Sequence, residues 1–402
     1  MNAFAFAARS LIRQPGRSGL GILGIAAVGA LLFDMLLLSR GLVVSFRDLL
    51  DRDGFDIRIT ATDAGPIGGP RLPHASPIAA EVAALPEVED AVPILMSDAE
   101  ASHPGGPPVG ISLLGIDARS GRHPWTISSG HDLEDVADGA AGELLVNETL
   151  AASLKVVLGD EIAIRVRCGP GRAPLPPSTF RVVGVAEFPF DDAVQLSGVV
   201  RRARMAGACD ADGRDEADMI LVSSRQGGGP DAAVSAIRRR RPDVHAATNE
   251  QIVARLAVSR FTYFRQISTV LSTITLLFGF LLITVLLTVS VNQRLGEIAA
   301  VRALGFSRAR VAADVLWQSA LLVGIGGLLA LPVGAVLSIW LDAILKTMPG
   351  IPIALHFFVF EPRSLLLHAI LLAVTAVLAA AYPIALVTTL PIATTLRNEV
   401  VS

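Results

Sequence analysis

Four runs of the chain are long and apolar enough to cross a hydrocarbon core: about Leu20–Ser39, about Ile267–Val291, about Val311–Leu341 and about Leu365–Leu390. A helical crossing takes about 20 apolar residues. In lipid the backbone must satisfy its own hydrogen bonds, so each run is expected to be a helix. Composition agrees. Of 402 residues, 52% are hydrophobic and 18% are charged, against roughly a quarter charged in soluble domains. The stretch between the first and second runs has soluble composition. The expected fold is therefore an α-helical membrane protein with four transmembrane helices, arranged one plus three. A large extracytoplasmic domain is inserted between helices 1 and 2.

Arg9, Arg13 and Arg17 precede the first run as the basic region of a signal peptide does. The run is longer than the roughly 7–15 apolar residues of such a peptide, and no small-x-small cleavage site clearly follows, so an uncleaved anchor is expected. Lys and Arg near the helix ends set orientation. The N-terminal segment carries those three arginines and no acid, and the loop between runs two and three carries Arg294, Arg302, Arg308 and Arg310 against Glu297. Between runs three and four, Lys346 and Arg363 face Asp342 and Glu361. Both termini and the 294–310 loop are thus expected in the cytoplasm, and residues from about 45 to 260 outside. The net charge of −3 sums over both compartments and constrains no partner.

The outside domain reads as α+β. "LVVSFRDLLDR" puts Val43, Phe46, Leu49 and Leu50 on one stripe, and "NEQIVARLAVSRFTYFRQI" does so with Ile252, Leu256, Ser259 and Tyr263. Two such helices beside the membrane predict a stalk over about 40–52 and 248–266. "FDIRIT" alternates as a strand; Ile78, Val82 and Leu85 mark a short helix, and a strand starts near Val88. "DMILVSS" followed by "PDAAVSAIRRRRPDVHAAT" repeats the strand–helix–strand order, which predicts one subdomain interrupted by an insertion at about 119–216. The domains expected are 1–44, 45–266 and 267–402. Arg238–Arg241 reads as a solvated helix end, favoured there by the helix dipole, and nucleic acid is not expected as a partner. Cys168 and Cys209, the only cysteines, both fall outside the membrane, where a disulfide is permitted; two separately buried thiols are the alternative.

The segment "RLGEIAAVRALGFSRARV" (Arg294–Val311) interrupts the most apolar half of the chain. Arg294 to Leu304 are good helix formers, with Ile298, Val301 and Leu304 on a short apolar face and Glu297 and Arg302 off it. Gly305 suits the left-handed residue that ends a helix. Ser307 suits the N-cap of the next one, with Phe306 able to reach Val311 as a hydrophobic staple. A short rigid helix with an apolar face fits a groove on a cytoplasmic partner.

These residues carry a resemblance. "GEIAAVRALGFSRARV" looks like the loop motif of the four-helix ABC transporter permeases of the FtsX-like and MacB-like (lipoprotein-releasing, macrolide-exporter) family. "YPIALVTTLPIATTLRNE" resembles that family's C-terminal end, although "IALVTTL" lacks the basic residues usual there. "LPEVEDAVP" and "GELLVNETLAASLKVVLGDEI" are similar to its periplasmic core domain. The resemblance covers essentially the whole chain. It implies a bacterial inner-membrane permease bound to a separate cytoplasmic ATPase dimer, which uses ATP and Mg²⁺, and paired with a second permease copy or paralogue. A periplasmic adaptor and membrane lipid are further partners it implies. The ATPase-coupling helix would comprise Arg294, Glu297, Ile298, Val301, Arg302, Leu304 and Gly305, with the stalk passing motion outward. The cargo classes would be lipidic, peptide or toxic small molecules. A membrane-bound sensor or scaffold, or a mechanical regulator of an envelope partner, is the alternative.

The chain has no G-x-x-x-x-G-K-[ST], H-E-x-x-H or G-x-S-x-G motif and no zinc-type cysteine spacing. No catalytic, cofactor or metal site is expected in it. His131–Asp132 is the nearest approach to a reactive pair and reads as a surface loop. Asp34 is the exception inside run one, and an ionisable group in a membrane helix is a functional candidate by default. It is expected to pair with Arg260 or Arg265, to line a dimer seam, or to hydrate at the outer interface. Gly324, Gly326, Gly327 and Gly334 in run three predict close helix packing, with a bend at Pro332.

Overall fold

The computed structural model describes residues 3–13, 15–52, 54–63, 69–117, 123–133, 141–167, 176–207, 215–259, 262–293, 295–303, 305 and 307–389. Elements run in chain order from α1 (Ala3–Arg13) and α2 (Pro15–Arg52) to β1 (Ile57–Thr60), β2 (Leu72–Pro73), α3 (Ala75–Ala83), β3 (Val88–Ser102) and β4 (Val109–Ile116). Then come β5 (Thr126–Gly130), β6 (Gly142–Val146), α4 (Glu148–Leu154), β7 (Glu161–Val166), β8 (Ser178–Glu187), β9 (Ser197–Arg201) and α5 (Arg202–Gly207). The remainder is β10 (Glu216–Ala217), β11 (Met219–Ser224), α6 (Gly229–Arg240), β12 (His245–Thr248), α7 (Asn249–Ser259), α8 (Thr262–Asn292), α9 (Leu295–Ala303), α10 (Arg308–Leu345) and α11 (Pro362–Thr389). The chain divides into two compact units: 1–43, 260–343 and 357–402 form one, and 44–259 with 344–356 form the other.

In the first unit, α2, α8, α10 and α11 are each long and apolar enough to span a membrane. Their inward stripes, including Ile25, Leu32, Leu287, Leu322 and Ala379, make one core. Leu277, Phe278, Leu328, Val336 and Val377 point outward, as lipid-facing side chains do. Small residues set the spacing. A Cβ added at Gly326 would stand 2.7 Å from the Ile25 side chain, and one at Gly327 would stand 2.8 Å from that of Leu372, so α10 is held close to both α2 and α11. Gly324, by contrast, has nothing within 4 Å of such a Cβ; it belongs to the same run but not to the packed face. α10 continues through Pro332 from Arg308 to Leu345. The Ser319 hydroxyl donates to the Ala376 carbonyl at 2.9 Å, a polar tie between α10 and α11.

In the second unit, the two strand–helix–strand segments pair into one antiparallel half in the order β12-β1-β11-β3. That order is fourth, first, third and second along the chain, the ferredoxin-like arrangement. α3 and α6 cover it, burying Ile78, Val82, Val234 and Ile237 against Ile57, Ile59, Ile220 and Val222. The arginine run at the end of α6 is pinned rather than merely solvated. Arg238 donates to the Ala246 carbonyl at 2.8 Å, and Arg241 pairs with Asp243 at 2.7 Å and with Glu81 at 3.6 Å.

The stretch expected as an insertion is built on the same sheet. β3 runs fifteen residues: its first part pairs with β11, and its second part pairs with β4 and β7. From there β4 pairs with β9, β9 with β6, β6 with β8, and β8 with β7, which returns to β3. The six strands close a ring, which leaves no free edge among them. Its interior holds Leu113, Leu144, Ile162, Ile164, Phe180 and Val200. Cys168 and Cys209, and any bridge between them, lie outside the described residues.

The chain enters and re-emerges from the ferredoxin-like half through a polar latch. Asn249, first residue of α7, donates through Nδ2 to the Leu50 carbonyl at 3.1 Å, the Phe55 carbonyl at 2.9 Å and Asp51 Oδ1 at 2.8 Å. Its Oδ1 accepts from the Arg58 guanidinium. The latch satisfies the Leu50 carbonyl at the end of α2 and the Phe55 carbonyl just beyond it. Leu49, Leu50 and Val253 are buried beside it. Val253 was not among the stripe residues expected for the stalk, and Tyr263, which was, is exposed.

The segment between α10 and α11, read from sequence as a plain loop, is strapped to the barrel lobe of this unit. Ile353 N–H donates to the Asp191 carbonyl at 2.9 Å and Gly350 N–H to Asp192 Oδ2 at 2.5 Å. His356 N–H donates to Ser45 Oγ at 2.7 Å. Asp191 is in turn held by the Asn147 amide and the Ser197 hydroxyl, each at 2.7 Å. Asn147 also caps α4 by accepting the Leu150 N–H at 2.8 Å.

Two outcomes follow from these contacts. Asn249→Ala removes the amide donor to the Leu50 and Phe55 carbonyls, which should lower the stability of the second unit by about 2–3 kcal/mol in chemical denaturation; Asn249→Asp, which sets a carboxylate against those carbonyls and Asp51, should lose at least as much. The Gly350 N–H, with those of Val194 and Gln195, holds the Asp192 carboxyl below its ordinary value, against a smaller opposing effect of burial. A depressed folded value means that this stabilisation is complete above the usual carboxylate range near about 3.9 and lost as pH falls through the folded value. Asp191 is shifted the other way, raised first by burial, so its contribution favours the fold at low pH and is lost as pH rises. Asp192→Asn should therefore lower the melting temperature at about pH 7 and narrow its drop between about pH 7 and about pH 3.

Candidate functional site

The turn between α8 and α10 gathers most of the sequence-derived candidates. α8 ends at Asn292, and α9 packs back onto the membrane helices: Leu295 and Ile298 are half-buried against Val291, Val311, Val315 and Val387. Ile298 was expected on an apolar face offered to a partner; in the structure it is engaged by α8, α10 and α11, because that stripe continues their core. Arg302 was expected to point off that face. Its Nη1 donates to the Val387 carbonyl of α11 at 3.2 Å. Arg294 and Leu304 lie outside the described residues, as do Phe306 and the side chains of Glu297 and Val301.

Gly305 has φ +97°, a conformation that strains residues with a side chain. Its N–H bonds to the Arg302 carbonyl at 3.1 Å, closing the end of α9. α10 then starts at once: Arg310 N–H bonds to the Ser307 carbonyl at 3.1 Å. Gly305 and Ser307–Arg310 are exposed. The geometry is a short helix clamped inward by Ile298 and Arg302, with the basic Ser307–Arg310 stretch exposed. The sequence supplied the helix and the turn. It missed which side faces out, because the apolar stripe of α9 is read equally well as a surface or as a continuation of the core.

Asp34 lies in the middle of the bundle. It is 0% exposed, and the Ser338 hydroxyl donates to its Oδ1 at 2.5 Å. This corrects two expectations: the carboxyl is neither hydrated at an interface nor directed to a seam open to a second copy, because α10 covers it. The side chains of Arg260 and Arg265 lie outside the described residues. Sequence periodicity could not find Ser338, 304 positions away. His368 on α11, another residue the sequence did not single out, is also buried, with its ring 5.3 Å from that of Phe33 at a steep angle.

The histidine–aspartate pair of the barrel lobe is not the one adjacent in sequence. Asp132 pairs with His123 Nε2 at 3.1 Å and accepts the Trp125 indole N–H at 3.2 Å, while His131 Nδ1 contacts the Asp132 carbonyl at 2.9 Å. His123 stacks on Trp125 at 4.8 Å, a packing arrangement with no nucleophile beside it. Among the described residues no group of three or more His, Cys, Asp or Glu is placed to hold a metal ion.

Comparison with known proteins matches residues 18–240 to the MacB-like periplasmic core domain and residues 269–392 to the FtsX-like permease C-terminal domain. No curated protein matches the chain. Among solved structures, the periplasmic region of MacB from Actinobacillus actinomycetemcomitans is similar at 13% identity, over 52% of this chain and 97% of that one, with a TM-score of 0.39. The extracellular domain of the noncanonic ABC-type transporter YknZ from Gram-positive bacteria matches at 13% identity, over 48% and 98%, with a TM-score of 0.33. A domain of a permease protein from Porphyromonas gingivalis matches at 16% identity, over 49% and 90%, with a TM-score of 0.33. With the MacB-like periplasmic core domain spanning more than half of its 402 residues and the FtsX-like permease domain following it, the chain belongs to the FtsX/MacB-like permease family of ABC-type transporters.

Proposed function

We propose that this chain is the membrane-spanning subunit of an ABC transporter whose ATP is hydrolysed by a separate cytoplasmic ATPase dimer. In this reading two permease copies, or a copy and a paralogue, sit in a bacterial inner membrane with both termini cytoplasmic. The ATPase engages the segment from Arg294 to Arg310. Its movement passes through the stalk to the extracytoplasmic domain, and from there to a periplasmic adaptor or directly to lipidic, peptide or toxic cargo. The chain itself performs no catalysis; Mg²⁺ and ATP belong to the partner.

The observation that supports this most is the clamped turn. A connector without a partner has no need of α9 held at two points, by Ile298 in the core and by Arg302 on α11. Rigid exposed turns lose little freedom on docking, so more of the contact energy appears as affinity. The strap from Gly350 and Ile353 to the 191–192 pair supports the transmission step, since it hydrogen-bonds the segment joining α10 to α11 to the domain that α2 and α7 also enter.

The test is co-purification and ATP turnover with a co-expressed ATPase, using Glu297→Lys and Arg308→Glu. Reversing a charge at a docked rim should weaken binding at least about tenfold, about 1.4 kcal/mol, while the permease remains folded and membrane-inserted. Arg302→Lys serves as a control for the internal tie to Val387. Binding and turnover unchanged by both reversals would displace the coupling assignment and bring forward a sensor or scaffold role.

A further inference from the structure

Three of the buried polar groups of the membrane unit sit on helices that meet around Phe33. Asp34 on α2 is 0% exposed, Ser338 on α10 is 5% and His368 on α11 is 3%. Ser338 accounts for Asp34 Oδ1, but among the described residues Asp34 Oδ2 and both ring nitrogens of His368 have no hydrogen-bond partner. Packing brings the three helices together there. Phe33 touches the His368 ring. A Cβ added at Gly334 would stand 3.0 Å from the Phe33 side chain and 3.5 Å from Asp34 Oδ1, and one at Gly29 would stand 3.9 Å from His368 Cε1. The acid and the base therefore flank the same ring.

Charge arithmetic narrows what such a site holds. Among the described residues no arginine or lysine is among its contacts, and an isolated carboxylate in hydrocarbon is far costlier than the neutral acid. A neutral acid offers one O–H donor; a neutral imidazole offers one donor and one acceptor. Hard metal cations favour a shell of oxygen ligands, and here one carboxyl and one hydroxyl stand beside an imidazole. We propose that Asp34, with Ser338 and His368, forms a proton-binding site within the membrane-spanning unit, loaded from the side that carries the MacB-like domain.

The depth of the site supports that access. Ser338 lies seven residues before the end of α10 at Leu345, and His368 six residues after the start of α11 at Pro362. At about 1.5 Å per residue each is about 10 Å from the helix ends joined by the 346–361 segment. With four single crossings, those ends are on the same side as the inserted domain. Proton loading changes the Ser338–Asp34 bond, the polar tie between α2 and α10, so the contact of these helices depends on occupancy.

The other titratable groups on the packed elements stand further off along the chain. Asp342 is one turn beyond Ser338 and accepts the Phe357 N–H at 2.9 Å. Glu361 and Arg363 lie at the start of α11, and Arg40 lies six residues beyond Asp34 with its side chain outside the described residues. From Gln266 to Asn292, α8 brings no Asp, Glu, His, Lys or Arg.

Dicyclohexylcarbodiimide tests the proposal, because it adds to protonated carboxyl groups in apolar surroundings. The full chain in lipid nanodiscs, without any ATPase, would be treated from about pH 5 to about pH 9 and the peptide containing Asp34 weighed. The expected result is an adduct at Asp34 that falls about tenfold per pH unit above its midpoint and is the same in sodium and choline salts. Asp34→Glu should keep the adduct at the same position, and His368→Leu should move the midpoint. Absence of an adduct in the native chain, labelling that ignores pH, protection by sodium, or a midpoint indifferent to His368→Leu would each overturn the site as proposed. Because no partner is present, these outcomes are independent of whether the chain couples to an ATPase.

Discussion

Hydrocarbon offers no water to a polar group, and the membrane unit is organised around that constraint. Its four long helices close their backbone bonds within themselves. Even their hydroxyls turn inward: Thr273, Thr284, Thr288 and Thr375 each donate to the carbonyl four residues back, at 2.7–2.8 Å. What remains for contact between helices is shape, which explains why Gly326 and Gly327 face Ile25 and Leu372. Two polar ties, Ser319 to Ala376 and Ser338 to Asp34, then fix α10 against α11 and α2. Among the described residues, Asp34 Oδ2 and the His368 nitrogens are groups that escape this economy.

Outside the bilayer the problem is reversed. Water is abundant, and the hazard is the unpaired edge of a sheet. The second unit answers with the long strand β3, which serves two architectures: its first part completes the ferredoxin-like half, and its second part closes the six-stranded ring. Because one strand belongs to both, the two cores share a backbone element rather than a linker. Stiffness along β3 is a consequence of pairing on both edges, not of any single side chain.

The sequence made the local and periodic features legible. Apolar run length gave the four crossings, and alternation and 3.6-residue spacing gave β1, α3, β11 and α6. The left-handed Gly305 was readable because glycine tolerates that conformation and follows a run of helix formers. Features built from residues distant in the chain were not readable. Asn249 reaches back to Leu50 and Phe55 across nearly the whole inserted domain. The 350–353 strap uses main-chain donors that carry no side-chain signature. Ile298 shows a subtler limit: periodicity gives the direction of an apolar face relative to its own helix, but not which neighbour covers it.

The same limit explains where the informative residues sit. In both units the contacts that join distant parts of the chain are polar groups placed at the ends or in the middle of apolar elements: Asn249 at the start of α7, Arg302 at the end of α9, Asp34 within α2. Apolar packing tolerates exchange of one hydrophobic residue for another of similar volume. A buried amide or carboxyl has a fixed number of partners at fixed distances, and loses stability when they move. Such groups make poor fillers and good reporters of relative position. A few of them, placed between helices rather than within one, therefore define how those helices meet.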